Sequence, residues 1–253
     1  MNGQPSYAKH IRRWVGFLCL ALVLCCAVTG VAQELPLRGY TADGGWQYLE
    51  LGMFPQTVEG GLEPILWRVL AVEDQQAYLV SEYVLLNRRI HPDDVAYAAS
   101  GGDFGGTELG AYLNGAFLDS FSAAEQAALV PLEGQRITLL AAEDLRNAAL
   151  GFTGDAARTA LGTPWALQNG LFQYGSGYGG TSPYWTRTPY DGQAYAACCT
   201  KARGNIGWIR VVVQNEGCRP ACTLALRGVS LESGRGDRSD PFRLILDEGR
   251  VQQ

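Results

Sequence analysis

The sequence is poor in the residues that most often act as general bases. It contains two histidines, and His91 is the one that lies outside the apolar N-terminal segment. A Ser-His-Asp hydrolase requires an imidazole base, and the sequence has no Gly-x-Ser-x-Gly turn to hold a nucleophilic serine. His91 stands beside Pro92-Asp93-Asp94, a setting typical of a loop residue. The sequence therefore gives no indication of this hydrolase class.

Lysine is equally scarce, since Lys9 and Lys201 are the two in the chain. Three of the 20 basic residues and none of the 25 acidic residues lie in residues 1–32, which leaves a net charge of −8 beyond that segment. No basic run is present there. An acidic surface without basic patches is repelled by polyanions, which argues against nucleic acid and anionic lipid as partners.

The first 32 residues have the layout of a secretory signal peptide. Basic residues (Lys9, Arg12 and Arg13, with His10) precede an uncharged apolar run from Trp14 to Ala32, which ends in the small residues of Gly30-Val31-Ala32. An uncleaved membrane anchor is the alternative, because 19 apolar residues can just span a bilayer. Both interpretations predict a secreted or extracytoplasmic protein, and the membrane is a partner only if this segment is retained.

Periodicity in the remainder predicts one α+β domain, mainly antiparallel sheet with two or three short helices. Residues 33–45 form a polar lead-in, 46–226 the domain, and 227–253 a polar, mobile C-terminal segment with at most one strand, Phe242–Leu246, returning to the sheet. Apolar runs at 64–72 and 77–81 predict a β-hairpin. Further strands are expected at 46–51, 136–140, 184–187, 194–200, 208–214 and 222–226, and helices at 107–117, 122–129 (with a Ser122–Glu125 capping box) and 142–150.

Four cysteines lie beyond the N-terminal segment: Cys198, Cys199, Cys218 and Cys222. An even number in an exported chain indicates disulfides before thiol chemistry. Neighbours on a strand point to opposite faces, so we expect Cys198 or Cys199 to pair with Cys218 or Cys222 rather than with each other. The connectivity is open. A metal or redox site is the alternative, although the spacing is not that of a zinc site.

Arginines and tryptophans in apolar strand contexts are interpreted as structural. Arg187 and Arg219 each stand close to a proline in a strand-like run, where a buried guanidinium would pair with carboxylates or carbonyls. The alternative is that both hold an anionic ligand. Trp67, Trp185 and Trp208 are expected in the core.

The best candidate for a binding surface is the glycine-rich loop from Tyr174 to Pro183. Tyrosines on such a loop offer rigid, amphipathic contacts at low entropic cost. The candidate binding residues are Tyr174, Tyr178, Tyr184 and Tyr190. Gly175-x-Gly177-x-x-Gly180 matches a dinucleotide-binding motif by letter, but Pro183 rather than a helix follows it. We therefore expect no cofactor, and no metal-ligand pattern is present.

Several short motifs occur in a characteristic order across residues 46–226. They are Pro64-Ile-Leu-Trp-Arg-Val-Leu70, Leu113-Asn-x-x-Phe117, Trp185-Thr-Arg-Thr188 and Gly217-Cys-Arg-Pro-Ala221. In this order the chain resembles a family of uncharacterised bacterial extracytoplasmic domains, whose pattern is Pro-Ile-x-Trp-x-Val-Leu, Leu-Asn-x-x-Phe, Trp-x-Arg-Ser and Gly-Val-Arg-Pro-Ala. Thr188 and Cys218 depart from it. That family is distantly similar to C-type-lectin-like modules, the fold that formylglycine-generating enzymes also use.

The resemblance implies a fold and no activity. The leading expectation is a non-catalytic recognition module for a cell-surface glycan or protein on a C-type-lectin-like scaffold. The lectin calcium motifs, Glu/Gln-Pro-Asn/Asp and Trp-Asn-Asp, are absent. The alternatives are an enzyme on a formylglycine-generating-like scaffold, which would use a cysteine or metal site, and a structural component of the cell envelope.

Overall fold

The computed structural model describes residues 35–247, and the predicted signal peptide lies outside them. The described residues contain no helix with the length and apolar character needed to cross a membrane. The α+β class is confirmed, because antiparallel strands dominate and the helices are short. The strands are β1 (Gln47–Pro55), β2 (Leu62–Glu73), β3 (Gln76–Ser81), β4 (Leu86–Asn87), β5 (Leu129–Val130), β6 (Ile137–Leu139), β7 (Trp185–Pro189), β8 (Ala196–Thr200), β9 (Ile206–Arg210), β10 (Gly217–Cys218), β11 (Pro220–Ala225), β12 (Val229–Ser233) and β13 (Arg243–Leu246).

The central sheet has the order β1-β2-β3-β11, and the free edge of β11 pairs with both β5 and β6. All of these pairs are antiparallel. Strands β7, β8 and β9 form a second sheet, β12 pairs with β13, and β4 pairs with β10. Strand β11 therefore comes from the C-terminal half of the chain, while the first three strands of the central sheet come from its N-terminal third.

The predicted hairpin is present as β2 and β3. Its turn has two residues, Asp74 and Gln75, both in the left-handed region at φ 49° and 59°. This backbone matches the strand twist of a two-residue hairpin. Along β2, neighbouring side chains point to opposite faces, so Trp67 and Arg68 lie on opposite faces of the central sheet, and Trp67 is part of a buried apolar cluster.

The central sheet separates two clusters of buried apolar side chains. Leu79 and Cys222 belong to the larger cluster, which we call the first core. Val80 and Ala221, which neighbour these two residues on β3 and β11, belong to the smaller second core. Because side chains alternate along a strand, the two cores lie on opposite faces of the sheet.

The helices are α1 (Glu108–Leu113), α2 (Ala123–Ala128), α3 (Asp155–Arg158) and α4 (Pro164–Gln168). The predicted capping box of α2 is present, with Ser122 and Glu125 bonding each other's backbone amides. The predicted helix over 142–150 is instead two 3-10 turns, Asp144–Arg146 and Ala148–Leu150. The break falls at Asn147, whose backbone is extended and whose side chain accepts from the Ala149 amide.

The C-terminal segment is more ordered than its composition predicts. Val229–Ser233 forms β12 and pairs with β13. Phe242, directly before β13, also meets the central sheet in a parallel bridge to Leu49 of β1, where it donates to the Tyr48 carbonyl and accepts from the Glu50 amide, both at 2.9 Å. The intervening turn is closed by Asp237, whose side chain accepts from the amides of Ser239 and Asp240 at 2.9 and 3.0 Å. Gly236 is required there, because a Cβ at this position would lie 2.3 Å from the Phe242 ring.

Candidate functional site

The glycine-rich loop carries a cluster of three aromatic rings. Phe172 packs edge-to-face on Tyr174 at 5.0 Å between ring centroids, and Tyr174 packs on Tyr178 at 5.8 Å. We call residues 172–181 the aromatic loop. A backbone hydrogen bond from Tyr174 to the Thr181 carbonyl, at 2.8 Å, closes it. Gly179 and Gly180 follow in the left-handed conformation that glycine tolerates best.

Two of the three rings are well exposed. Phe172 and Tyr178 keep 43% and 44% of their surface accessible, whereas Tyr174 is half-buried. The guanidinium of Arg203, from the turn between β8 and β9, lies 5.4 Å from the centre of the Tyr178 ring. Burial, and then the charge of Glu216, raise the pKa of the Tyr174 hydroxyl above its ordinary value. The loop thus presents neutral rings beside one cation.

A second aromatic pair lies on the three-stranded sheet. Tyr190 stacks on Trp208 with centroids 5.0 Å apart and planes 11° from parallel. Trp208 is 40% exposed, so the expectation that it lies in the core is wrong. Alternation along β9 explains its position, because the next residue, Ile209, packs on the first core. In the sequence, however, Trp208 shares its face of β9 with Ile206 as well as with Arg210, so alternation alone does not mark it as exposed.

Tyr184, one of the candidate binding residues, lies in the core. Its ring is 1% exposed, its hydroxyl donates to the Arg158 carbonyl at 2.6 Å, and the same oxygen accepts from Arg219 at 3.2 Å. Of the four candidate tyrosines, the structure brings together Tyr174 and Tyr178. Tyr190 belongs to the separate stacked pair.

Trp67 and Trp185 are fully buried. Each indole nitrogen donates to a backbone carbonyl, that of Leu51 at 2.8 Å and that of Arg88 at 3.0 Å. A buried tryptophan generally finds such an acceptor, and both bonds join segments far apart in sequence. These two rings therefore support the scaffold and present no face to a ligand.

Arg187 has protein partners for its charge. Its Nη1 donates to the Leu139 carbonyl at 2.8 Å and to Asp144 at 3.2 Å, and its Nε lies 3.3 Å from a Glu133 oxygen. Tyr78 donates to the same Asp144 oxygen at 2.9 Å. We call these residues the Arg187 cluster. Arg219 shares none of these partners, since it donates to the Ser81 carbonyl and the Tyr184 hydroxyl.

All four cysteines of the described residues are free thiols, and the predicted disulfides are not present among them. Cys198 and Cys199 lie on β8 of the three-stranded sheet, Cys222 on β11 of the central sheet, and Cys218 on β10, which pairs with β4. The prediction placed the paired cysteines on nearby strands. The actual strands belong to three different sheets.

The thiols are also poorly suited to act as nucleophiles. Burial raises the pKa of the Cys199 thiol to about 12, and burial likewise raises the pKa values of Cys218 and Cys222. A thiol is reactive as the thiolate, which is scarce at neutral pH when the pKa is raised. Among residues 35–247, no three or more His, Cys, Asp or Glu side chains are grouped so that they could hold a metal ion.

Comparison with protein-family models matches residues 133–226 to a domain of unknown function (DUF6273). The matched segment contains the aromatic loop, the three-stranded sheet and β11. It is less than half of the chain, and it agrees with the resemblance to an uncharacterised domain family. No curated protein and no solved structure matches the chain.

Proposed function

We propose that the chain is a non-catalytic extracytoplasmic recognition module that binds a cell-surface glycan or protein through the aromatic loop. The observation that carries the proposal is the cluster of Phe172, Tyr174 and Tyr178, whose two outer rings are more than 40% exposed although both pack on Tyr174. Neighbouring exposed rings held in one arrangement lose little entropy when a ligand covers them.

The surroundings of the loop favour recognition over chemistry. Arg203 adds a cation beside the Tyr178 ring, and backbone groups of the glycine-rich turn supply polar contacts. A sugar ring or a flat peptide surface would meet apolar faces flanked by hydrogen-bonding groups, which is the usual make-up of a binding site. A C-type-lectin-like scaffold, on which such loops carry recognition, is part of this proposal.

The enzyme alternative receives less support. An enzyme on a formylglycine-generating-like scaffold would need a reactive cysteine or a metal site. The thiol of Cys199 is buried, and burial raises its pKa to about 12. Activity that requires Cys198 or Cys199 would nevertheless favour the enzyme over the module.

The test is a binding screen of the exported protein on glycan and protein arrays, with two variants. Tyr178→Ala should weaken binding at least about tenfold, because it removes one of the two exposed rings of the loop, the one beside Arg203. Tyr195→Ala is the matched control, since Tyr195 is 48% exposed in the turn before β8, outside the aromatic loop. Circular dichroism and melting temperature would verify folding. Equal binding by both variants, or no binding to any array, would contradict the proposal.

A further inference from the structure

A group of charged side chains is buried on the second-core face of the central sheet. Glu82 Oε2 accepts from Nε and Nη2 of Arg68 at 2.9 and 2.5 Å. Its other oxygen, Oε1, lies 3.4 Å from Arg238 Nη2. Arg219 adds a third guanidinium, held by the Ser81 carbonyl at 2.7 Å and the Tyr184 hydroxyl. We call Arg68, Glu82, Arg219 and Arg238 the arginine cluster.

The arginine cluster contains three cations and one anion. The side chains of Arg68 and Glu82 are each 7% exposed, and Arg219 is 1% exposed. Nη1 of Arg68 and Nη2 of Arg219 are buried, and neither has a hydrogen-bond partner among the described residues. A buried guanidinium is unfavourable unless its donors and its charge are matched. The cluster therefore lacks negative charge and acceptor atoms.

A cleft opens directly onto this cluster. It has a volume of about 240 Å³, and its lining includes Arg68, Glu82, Tyr83, Arg238 and Trp46. The Trp46 ring closes one side, with its centre 4.0 Å from the guanidinium carbon of Arg68. The side chain of Arg238 is 51% exposed and donates to the Tyr83 hydroxyl at 3.1 Å. Arg238 is thus the member of the cluster that solvent and a ligand reach most easily.

We propose that this cleft binds a small-molecule oxyanion, a carboxylate or phosphate group, through Arg238 and the unpartnered nitrogen of Arg68. A planar guanidinium matches the oxygens of both groups, and charge-assisted hydrogen bonds are the strong ones. Arg219 does not line the cleft, but its charge adds to the positive potential behind it. An anion in the cleft would supply the acceptors and the charge that the protein leaves out.

The electrostatics of Arg68 agree with this assignment. Burial, and then the charge of Arg219, lower the pKa of Arg68, and Glu82 offsets this only in part. The cleft is therefore a region of uncompensated positive potential on a chain whose overall charge is negative. Of the aromatic loop, Thr181 lines the cleft, but none of the three rings does, so the inference stands independently of the proposed function.

The experiment measures binding of inorganic phosphate and of glucuronate, a carboxylate probe, to the exported protein. Isothermal titration calorimetry and melting temperature would be recorded at constant ionic strength, with chloride replaced by the probe. At least one probe should bind and raise the melting temperature. Arg238→Gln should weaken that binding about tenfold or more, since a charged hydrogen bond is lost. Arg235→Gln is the control, because Arg235 lies in the same β12–β13 turn and pairs with Asp237 and Asp240 instead.

The outcomes separate cleanly. Binding of phosphate alone, or of glucuronate alone, would support the site and identify its anion. Binding by neither probe would overturn the proposal, as would equal weakening by Arg238→Gln and Arg235→Gln. Arg238→Lys provides a second variant, which keeps the charge and loses the planar fork, so its affinity should fall between those of the wild type and Arg238→Gln.

Discussion

Two charged clusters lie at opposite ends of one strand and on the same face of the central sheet. Tyr78, near the start of β3, donates to Asp144 in the Arg187 cluster. Glu82, directly after the end of β3, belongs to the arginine cluster. Only Val80 separates them on that face, because side chains alternate along the strand. The two clusters therefore share a scaffold and differ in how charge is matched.

In the Arg187 cluster, one arginine meets two carboxylates, whereas in the arginine cluster three arginines meet one. The pKa values respond in opposite directions. Burial acts to lower the pKa of Arg187, but Tyr78 and Asp144 more than offset it and raise that pKa. Burial and Arg219 lower the pKa of Arg68. The charge of Arg187 is thus matched by carboxylates of the protein, whereas the charges of the arginine cluster are not. A ligand anion is expected where the protein itself does not supply the matching charge.

The largest expected effect comes from removing the one carboxylate of the arginine cluster. Glu82→Ala leaves Arg68 buried without its anion, and loss of one partner of a buried pair costs about 3–5 kcal/mol. Asp144→Ala should cost about 1–3 kcal/mol, because Arg187 keeps Glu133 and the lost bonds are partly exposed. Urea unfolding followed by tryptophan fluorescence would measure both variants. A greater loss of stability for Asp144→Ala than for Glu82→Ala would contradict the view that the arginine cluster is the one short of negative charge.

Replacing each buried arginine by methionine should reverse that order. Arg187→Met leaves the Leu139 carbonyl without that donor and Asp144 without its cation, although Asp144 keeps the Tyr78 hydroxyl, and the change should cost about 2–3 kcal/mol. Arg219→Met removes two hydrogen bonds but also removes repulsion on Arg68, so it should cost about 1 kcal/mol. The free energies of unfolding of the two variants, measured side by side, would decide. Equal costs would show that Arg219 is as fully matched as Arg187.

Local signals in the sequence predicted much of the fold. The β2–β3 hairpin follows from two apolar runs, and the α2 capping box from Ser122 and Glu125 alone. The burial of Arg219 also agrees with its apolar strand context. The residues that contact Arg219 could not be predicted, because the Ser81 carbonyl to which it donates is 138 residues away in the sequence. Which charges surround a buried arginine depends on strand order, and strand order is not a local property.

The errors have the same origin. Adjacent cysteines and a Cys-x-x-x-Cys spacing do not reveal which sheet holds each strand, so the disulfide pairing could not be predicted. Tyr184 lies within three residues of glycine-rich loop sequence but enters the core through its strand neighbours. Strand β12 was not predicted because residues 227–239 are polar in composition. The Gly and Asp residues that suggested a loop, Gly236 and Asp237, form a tight turn between the paired strands β12 and β13. Trp208 could not be placed from alternation alone either, because it shares its face of β9 with both Ile206 and Arg210.

Lys201 and Glu216 form a partly buried ion pair of one cation and one anion. This pair tests whether equal numbers of opposite charges are enough to offset the cost of burial. The two groups lie 3.4 Å apart, the Glu216 side chain is 4% exposed, and its Oε2 has no partner among the described residues. Burial raises the pKa of Glu216 above its ordinary 4.5, although Lys201 opposes this. A carboxyl whose folded-state pKa is raised binds its proton more tightly when folded. Its contribution to stability is therefore greatest below pH 4.5 and declines as the pH rises through the raised pKa.

Glu216→Gln should remove that pH dependence. Between pH 4 and 8, the wild type should lose stability relative to the variant by about 1.4 kcal/mol for every pH unit by which the folded-state pKa exceeds 4.5. Urea unfolding of both proteins across this pH range would measure the difference. If the free energies of unfolding of the two proteins ran parallel across the pH range, Lys201 would offset the burial of Glu216 fully, as the carboxylates of the Arg187 cluster do for Arg187.

The smallest expected effect on stability belongs to Arg238→Gln. Its ion pair with Glu82 is long, and its side chain is half exposed, so the loss should be below about 1 kcal/mol in the absence of added anions. Unfolding with and without phosphate would separate stability from binding, because the variant should lose most of the stabilisation that the anion gives to the wild type. A loss of about 3 kcal/mol or more without any anion would instead make Arg238 a fixed part of a closed network. The charges of the arginine cluster would then be matched within the protein, as those of the Arg187 cluster are, and the cleft at this end of β3 would not be an anion-binding site.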